Sequence, residues 1–244
     1  RNNRDYLIMK VGIMQPYFFP YLGYISLIKH TDRFILLDTV QFIRHGWIER
    51  NRILNQNEGW LYIKVPLIRS KRESLIKDFE INNSVNWKNK ILSQLQIYKK
   101  IAPNYFQVIR LLNEVFENDY KDIVHLNKRS LESTCNYLGI NREIEIFSEM
   151  ELEIEPVNEP DEWALNICKA LGNATEYWNP PGGKSFFDRS KYENEGIRLN
   201  FQHVELLPYN QKRENFEPGL SIIDVMMFNS VEEINNMLDN YELL

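Results

Sequence analysis

The chain runs to 244 residues, 43% hydrophobic and 26% charged, with 29 Lys and Arg against 34 Asp and Glu for a formal net charge of −5. This length suits one elaborated core rather than two independent domains, and the composition excludes wholesale disorder and collagen-like or mucin-like chains. The acidic balance argues against a nucleic-acid surface or an anionic-membrane footprint, so any phosphate has to be held by a local basic pocket.

Residues 1–8, RNNRDYLI, read as a tail or expression remnant ahead of a single α/β domain at 9–244. Lys10 to Met14 and Arg33 to Leu37 are short β-prone runs separated by one helix length, which predicts strand, helix, strand. Gly59 to Pro66 alternates, with Trp60, Tyr62 and Lys64 on one face and Leu61, Ile63 and Val65 on the other, and is expected as a third strand of the same sheet. From Asn86 to Leu138 the period turns helical, through Trp87, Ile91 and Leu95, then Tyr105, Phe106, Ile109, Leu112, Val115 and Phe116, then Ile123, Leu131 and Cys135. Gly139 ends that block, and 86–138 is expected to form an inserted helical subdomain. The acidic 143–157 segment alternates like a solvated strand pair or linker. Pro160-Asp161 opens a helix that Gly172 stops, and Thr175 to Trp178 and Ile197 to Phe201 are further strands. Ser221 with Asp224, and Ser230 with Glu233, are capping signals for two last helices. The expected fold class is therefore α/β, a single three-layer Rossmann-like parallel sheet built from 10–14, 33–37, 60–65, 175–178 and 197–201, with right-handed crossovers.

Cys135 and Cys168 stand far apart in apolar helical contexts and read as buried thiols of a reducing, cytoplasmic setting. No run approaches the apolar length that membrane insertion requires, and the amino terminus lacks a secretory head and core. The 27 Asn are dispersed among Trp, Leu and Ile rather than clustered, so they do not mark a prion-like segment.

Three clusters carry unusual chemistry. In MQPYFF at 14–19, followed by Pro20, Gly23 and Tyr24, two prolines and a wall of aromatics directly follow a strand; this is a pocket wall or an aromatic plug of the core, and Gln15, Tyr17 and Tyr24 favour the pocket. The second cluster runs from Asp38 at a strand end through Gln41, His45, Trp47 and Glu49 to Arg50, Asn51 and Arg52; the two arginines point alike in an extended segment and offer planar forks for a carboxylate or diphosphate, unless the stretch is a solvated charged turn. The third, Asn179-Pro180-Pro181-Gly182-Gly183-Lys184-Ser185, offers backbone N–H groups and one cation as a minimal anion nest, or is a plain turn. His30, His45, His125 and His203 are scattered without metal-ligand spacing, and no G-x-S-x-G elbow exists, so no metal is expected.

MKVGIMQPYFFPYLGY at 9–24, LDTVQF followed by GWIERNRI, NPPGGKSFFD, and a tail of PYNQ and FEPGLSIIDVMMFN together resemble the WbqC-like family over most of 9–229. The resemblance implies bacterial O-antigen or other surface-polysaccharide biosynthesis, with transfer of glycine or a related acyl group onto the amine of a nucleotide-linked amino sugar. The implied partners are that sugar and an acyl or aminoacyl donor, a thioester carrier or activated glycine. One departure is Asn179 to Gly183, where other members carry a Ser-Gly-Pro-Gly type loop. Acyl transfer to an amine needs a proton acceptor and donors for the developing oxyanion. Asp38 or His45 is the candidate base, with His203 an outside candidate, and Gln15 and Asn51 are candidate orienting amides. Arg50, Arg52 and Lys184 are the candidate diphosphate clamp, with Tyr17, Tyr24, Gln41, Trp47, Gly182 and Gly183 lining the substrate. A remoter fold-level likeness is to the H-x-G-H nucleotidyltransferases, with Tyr21 and Tyr24 where the two histidines would be. It leaves ATP open as a co-substrate of an amide ligase; no other cofactor is implied. A non-enzymatic nucleotide-sugar-binding or scaffold protein is the third reading.

Overall fold

The computed structural model describes residues 7–71 and 73–244. Most of the expected tail, residues 1–6, lies outside the described residues. The chain is an α/β protein. Its elements are β1 (Lys10–Met14), α1 (Leu22–His30), β2 (Arg33–Leu36), β3 (Arg50–Leu54), β4 (Trp60–Lys64), α2 (Trp87–Gln94), α3 (Tyr105–Phe116), α4 (Ile123–Tyr137) and β5 (Ile144–Ile146). There follow α5 (Glu162–Leu171), β6 (Glu176–Asn179), α6 (Arg189–Asn194), β7 (Arg198–Val204), α7 (Ile222–Phe228), α8 (Val231–Asp239) and β8 (Tyr241–Leu243). A six-stranded sheet has the order β5-β2-β1-β6-β7-β8, parallel throughout except for β8, which runs antiparallel to β7.

The central strands are apolar on both faces, as parallel strands covered on both sides must be. Val11, Ile13, Ile35, Tyr177, Leu199 and Phe201 join one hydrophobic cluster with residues of α5 and α6. Phe34, Leu36 and Trp178 join another with residues of α1, the 87–137 helices, α7 and α8. Helices that follow β1 and β2 thus pack on the opposite face from helices that follow β5 and β6, which is what right-handed crossovers demand when the chain reverses direction across the sheet. Gly12 lets β1 approach β2 closely, since a Cβ there would lie 2.8 Å from the Phe34 ring.

One expected strand belongs elsewhere. β4 does not enter the sheet; it pairs antiparallel with β3 in a separate hairpin, in register from Arg50 opposite Lys64 to Leu54 opposite Trp60. Its alternation of wet and buried residues suits a ribbon covered on one face, whereas an interior parallel strand needs both faces apolar. The acidic segment supplies only the three-residue edge strand β5, sealed to β2 by a two-pronged bond from Arg33 to Glu145 (3.0 and 2.5 Å). Both carboxyl-terminal caps form: Ser221 accepts from the Ile223 N–H, and Ser230 with Glu233 closes a reciprocal capping box. Among the described residues no helix is long and apolar enough to cross a membrane.

Candidate functional site at the carboxyl edge of the sheet

Because β2, β1 and β6 are parallel neighbours, the segments that follow them, 37–49, 15–21 and 180–188, leave the sheet at one edge. β1 and β6 flank the point where the strand order reverses, and a crevice opens outside the carboxyl ends of such a pair. Asn179, at the end of β6, donates to the Tyr177 hydroxyl (2.8 Å) and lies 3.9 Å from the Met14 sulfur at the end of β1. Segment 47–51 is stitched along the loop after β1. The Phe18 N–H donates to the Trp47 carbonyl (3.0 Å), and Asn51 donates to the Phe18 carbonyl (3.1 Å). From α4, the Asn127 amide donates to the carbonyls of Pro16 (3.0 Å) and Ile48 (2.9 Å).

The first cluster divides. Phe18, Phe19 and Tyr24 are fully buried, and the Tyr24 hydroxyl donates to the Gln15 carbonyl (2.7 Å). Tyr24 is therefore a core residue, not a ligand contact, because α1 buries every residue from Leu22 to Ile28. Burial, then the neighbouring Tyr17, holds its phenol well above the ordinary value. Tyr17 and Gln15 are half-buried at the edge. Phe19 adopts a positive φ of 38°, and its carbonyl accepts from Ser221 (2.6 Å).

In the second cluster Asp38 is buried, and its two oxygens accept from the Ser148 N–H (3.0 Å) and hydroxyl (2.5 Å). Burial pushes its carboxyl up against the lowering effect of those two bonds, and the bonds make it a staple between the end of β2 and the segment after β5. Asn51 is buried, with its oxygen accepting from the Arg52 N–H (2.8 Å); both ends of its amide serve the backbone, which corrects its expected role as a substrate amide. His45 is exposed at a positive φ of 64°, and its carbonyl accepts from Arg50 (2.5 Å). Gln41 is exposed beside Leu75. Arg50 also donates to the Gly46 carbonyl (3.1 Å) and stacks 4.0 Å over the Tyr62 ring. Arg52 donates to the Gly219 carbonyl (3.0 Å) and lies over Trp47 (5.3 Å) and Trp60 (5.1 Å). Both forks are thus partly committed, but they stand with Trp47, Trp60, Tyr62 and Lys64 on one aromatic and cationic face of the hairpin.

The third cluster is a tight turn. The N–H groups of Gly183 and Lys184 donate back to the carbonyls of Pro180 and Pro181 (both 3.1 Å), so the expected nest turns its donors inward and only Lys184, exposed, offers a charge. Gly183 is required by close approach, since a Cβ would fall 2.3 Å from the Asn179 amide oxygen, whereas Gly182 faces open space. His203 is exposed near the carboxyl end of β7, opposite Glu242 and two strands from β1.

Comparison with known proteins identifies the chain. The model of the WbqC-like protein family matches residues 15–236. This chain belongs to that family. It is similar to a Mycobacterium tuberculosis (strain ATCC 25618 / H37Rv) protein named "Uncharacterized protein Rv1507c", at 29% identity over 89% of this chain and 92% of that one. No solved structure matches.

In this WbqC-like chain the edge also holds groups that the sequence reading left aside. His125, in the first turn of α4, is bonded through Nδ1 to the N-cap Asp122 (2.8 Å) and through Nε2 to Glu149 (2.7 Å), next to the Ser148 that holds Asp38. Burial lowers its pKa, but the bonds and charges of Asp122 and then Glu149 outweigh burial and raise it. Asp122, an N-cap three residues before His125, was the available signal for the first contact; none pointed to Glu149. Among the described residues no group of three or more His, Cys, Asp or Glu gathers to hold a metal.

Proposed function

We propose that this WbqC-like protein transfers glycine, or a related acyl or aminoacyl group, from an activated donor to the amine of a nucleotide-linked amino sugar in bacterial surface-polysaccharide synthesis. The observation that carries the proposal is the hairpin face of Trp47, Arg50, Arg52, Trp60, Tyr62 and Lys64, stitched to the loop that leaves β1 at the reversal of the strand order. Trp60, 37% exposed and packed edge-on against Tyr62 (4.8 Å), offers a ring on which a sugar can stack. Beside it, Arg50 and Arg52 each keep N–H donors beyond those given to carbonyls, enough to grip a diphosphate. The parallel strands lie in the order β5-β2-β1-β6-β7, which is 3-2-1-4-5 when they are counted along the chain, and the reversal between β1 and β6 supports reading the crevice there as the nucleotide site. A cytoplasmic protein would meet the nucleotide-linked sugar and thioester donors there.

One observation also favours an ATP-dependent amide ligase: the same sheet order serves nucleotidyltransferase-like folds, with the Pro-rich loop following the first strand. A single assay separates the readings. The protein is incubated with a nucleotide-linked 4-amino sugar and either glycine or an acyl thioester, with and without ATP, and the product is weighed by mass spectrometry. A transferase adds the acyl mass without ATP; a ligase needs ATP and releases pyrophosphate; a binding or scaffold protein binds and does neither. Trp60→Ala should weaken nucleotide-sugar binding about tenfold, in line with about 1.4 kcal/mol of stacking.

A further inference from the structure

We propose that the rim formed by the loops 40–45 and 67–75 is a docking surface for an anionic phospholipid bilayer. The acidity of the whole chain argues against such a footprint, but that acidity is unevenly spread. Residues 38–78 carry eight Lys and Arg against five Asp and Glu, a charge of +3, while the rest of the chain carries −8. Two of those five acids, Asp38 and Glu49, are buried, so the charge this segment shows to solvent is more positive still. An Ile-Arg pair stands in each loop, Ile43-Arg44 and Ile68-Arg69, and Lys71 follows the second. Ile43 is 64% and Ile68 48% exposed, and Arg44, Arg69 and Lys71 are exposed as well. Among the described residues none of these three cations has an ion-pair partner.

The fold brings the two pairs to one place. Gln41 bridges Leu75 in antiparallel register, and the Phe42 N–H donates to the Ser74 carbonyl (3.1 Å). The Ser74 hydroxyl is bonded to that of Ser70 (2.6 Å), and the Ser74 N–H closes a turn on the Lys71 carbonyl (3.2 Å). Ser74 thus ties the residue before Ile43 to the residue after Arg69, and both Ile-Arg pairs and Lys71 lie around it. A bilayer surface asks for this combination: cations reach the lipid phosphates while aliphatic side chains enter the headgroup boundary, and neither signal suffices alone. A nucleic acid is the weaker match, since its bases would need exposed rings to stack on, and the one Phe, Tyr or Trp of the two loops, Phe42, is buried against Phe79. Arg50 donates to the His45 carbonyl (2.5 Å), so the rim adjoins the hairpin face, and docking would set the candidate site beside the membrane surface.

The test is flotation of the protein with vesicles of phosphatidylcholine, alone or mixed in equal parts with phosphatidylglycerol. No sugar or acyl donor is present, so the result is independent of the transferase reading. Wild type should float with the anionic vesicles only, and should be released as NaCl rises from about 0.1 M to about 1 M, where the screening length shrinks from about 10 Å to about 3 Å. Arg44→Gln, Arg69→Gln and Lys71→Gln combined should weaken binding about a hundredfold, at about fivefold per cation. Ile43→Ser with Ile68→Ser should weaken it about tenfold. The control, Lys90→Gln, Lys99→Gln and Lys100→Gln, removes as many exposed cations from α2 and the turn after it and should stay within about threefold of wild type. Ile43→Cys carrying an environment-sensitive dye is a second reading, since both native thiols are buried; its emission should brighten and shift to the blue on anionic vesicles. Wild type that ignores anionic vesicles, or that binds a single-stranded oligonucleotide more tightly than it binds them, overturns the inference. So does a control that loses as much as the rim variant, a serine variant that binds like wild type, or a dye that reports no change.

Discussion

Asn127→Ala tests whether the candidate site is held together by one buried side chain. The amide of Asn127 donates to two buried carbonyls, Pro16 in the loop after β1 and Ile48 before the hairpin, at 3.0 and 2.9 Å, so it joins α4 to both segments of the site. Truncation leaves both carbonyls without that donor, at about 1–3 kcal/mol each. Removing the unpartnered Oδ1 returns part of this. The net cost is about 3 kcal/mol, which for a domain of this size lowers Tm by about 6–12 °C. The assay is urea unfolding followed by tryptophan fluorescence, with an unchanged slope showing that the change lies in stability alone. Asn235→Ala is the matched control. It removes the same two kinds of donation, to the carbonyls of Leu138 and Val231 (both 3.0 Å), and in addition a bond accepted from Lys29 (2.9 Å), but on a half-buried surface where water replaces them, and it should cost about 1 kcal/mol or less. Equal costs for the two variants would refute the argument that burial, not bond count, makes Asn127 the pin of the site.

Gly183→Ala should destabilise by about 1–3 kcal/mol in thermal melts, because its Cβ would meet the Asn179 amide oxygen at 2.3 Å and the Phe187 ring at 2.8 Å, whereas Gly182→Ala should stay within about 0.5 kcal/mol. His125 has a folded pKa raised above its unfolded value near 6.5, so its contribution is complete below that pH and is lost as pH rises through the folded value. Urea midpoints between pH 5.5 and 8.5 should therefore show wild type losing its advantage over His125→Asn towards alkaline pH, by under about 1 kcal/mol because the imidazole is half exposed. The thiols of Cys135 and Cys168 are buried and pushed up to about 12, mainly by that burial, so neither should react with a maleimide at pH 8 until urea is added; rapid labelling of the native protein would contradict their burial.

The strands legible in the sequence were those whose two faces are both apolar. KVGIM and RFIL read as strands because no helical stripe fits them, and they pair with each other in register from Val11 opposite Arg33. β3 was legible only as an extended segment: RNRIL carries three polar residues in five, and its inward members are Asn51 and Ile53, so the register with β4 is what reveals a paired strand. Alternation in β4 disclosed its faces but not its partner, and the partner decided that it left the sheet. Caps were legible because they are local: Ser230 and Glu233 close the same box that their spacing announces. Asp224, three residues after Ser221, instead turns inward to accept from Tyr98 (2.7 Å), Tyr209 and Gln211 (2.9 Å), a network no spacing rule contains.

For the site, strand ends placed Gln15 and Asp38 at one edge, since parallel pairing follows from the strand-helix-strand order. What the sequence could not disclose was commitment. Asp38 and Asn51 look available in LDTVQF and GWIERNRI, but Ser148, 110 residues from Asp38, and Phe18, 33 residues from Asn51, occupy them. The converse holds for Glu49. The string ERNR sets its carboxylate next to Arg50 and close to Arg52, and the sequence gives it no partner of its own. An extended backbone forbids pairing with either, because the side chain at 49 points inward while those at 50 and 52 point out, and the same alternation that spreads Arg50 and Arg52 over the aromatic face strips Glu49 of its counter-charges. The fold brings Glu49 inside and leaves its Oε2 enclosed without a donor, and that is a property of the tertiary structure alone.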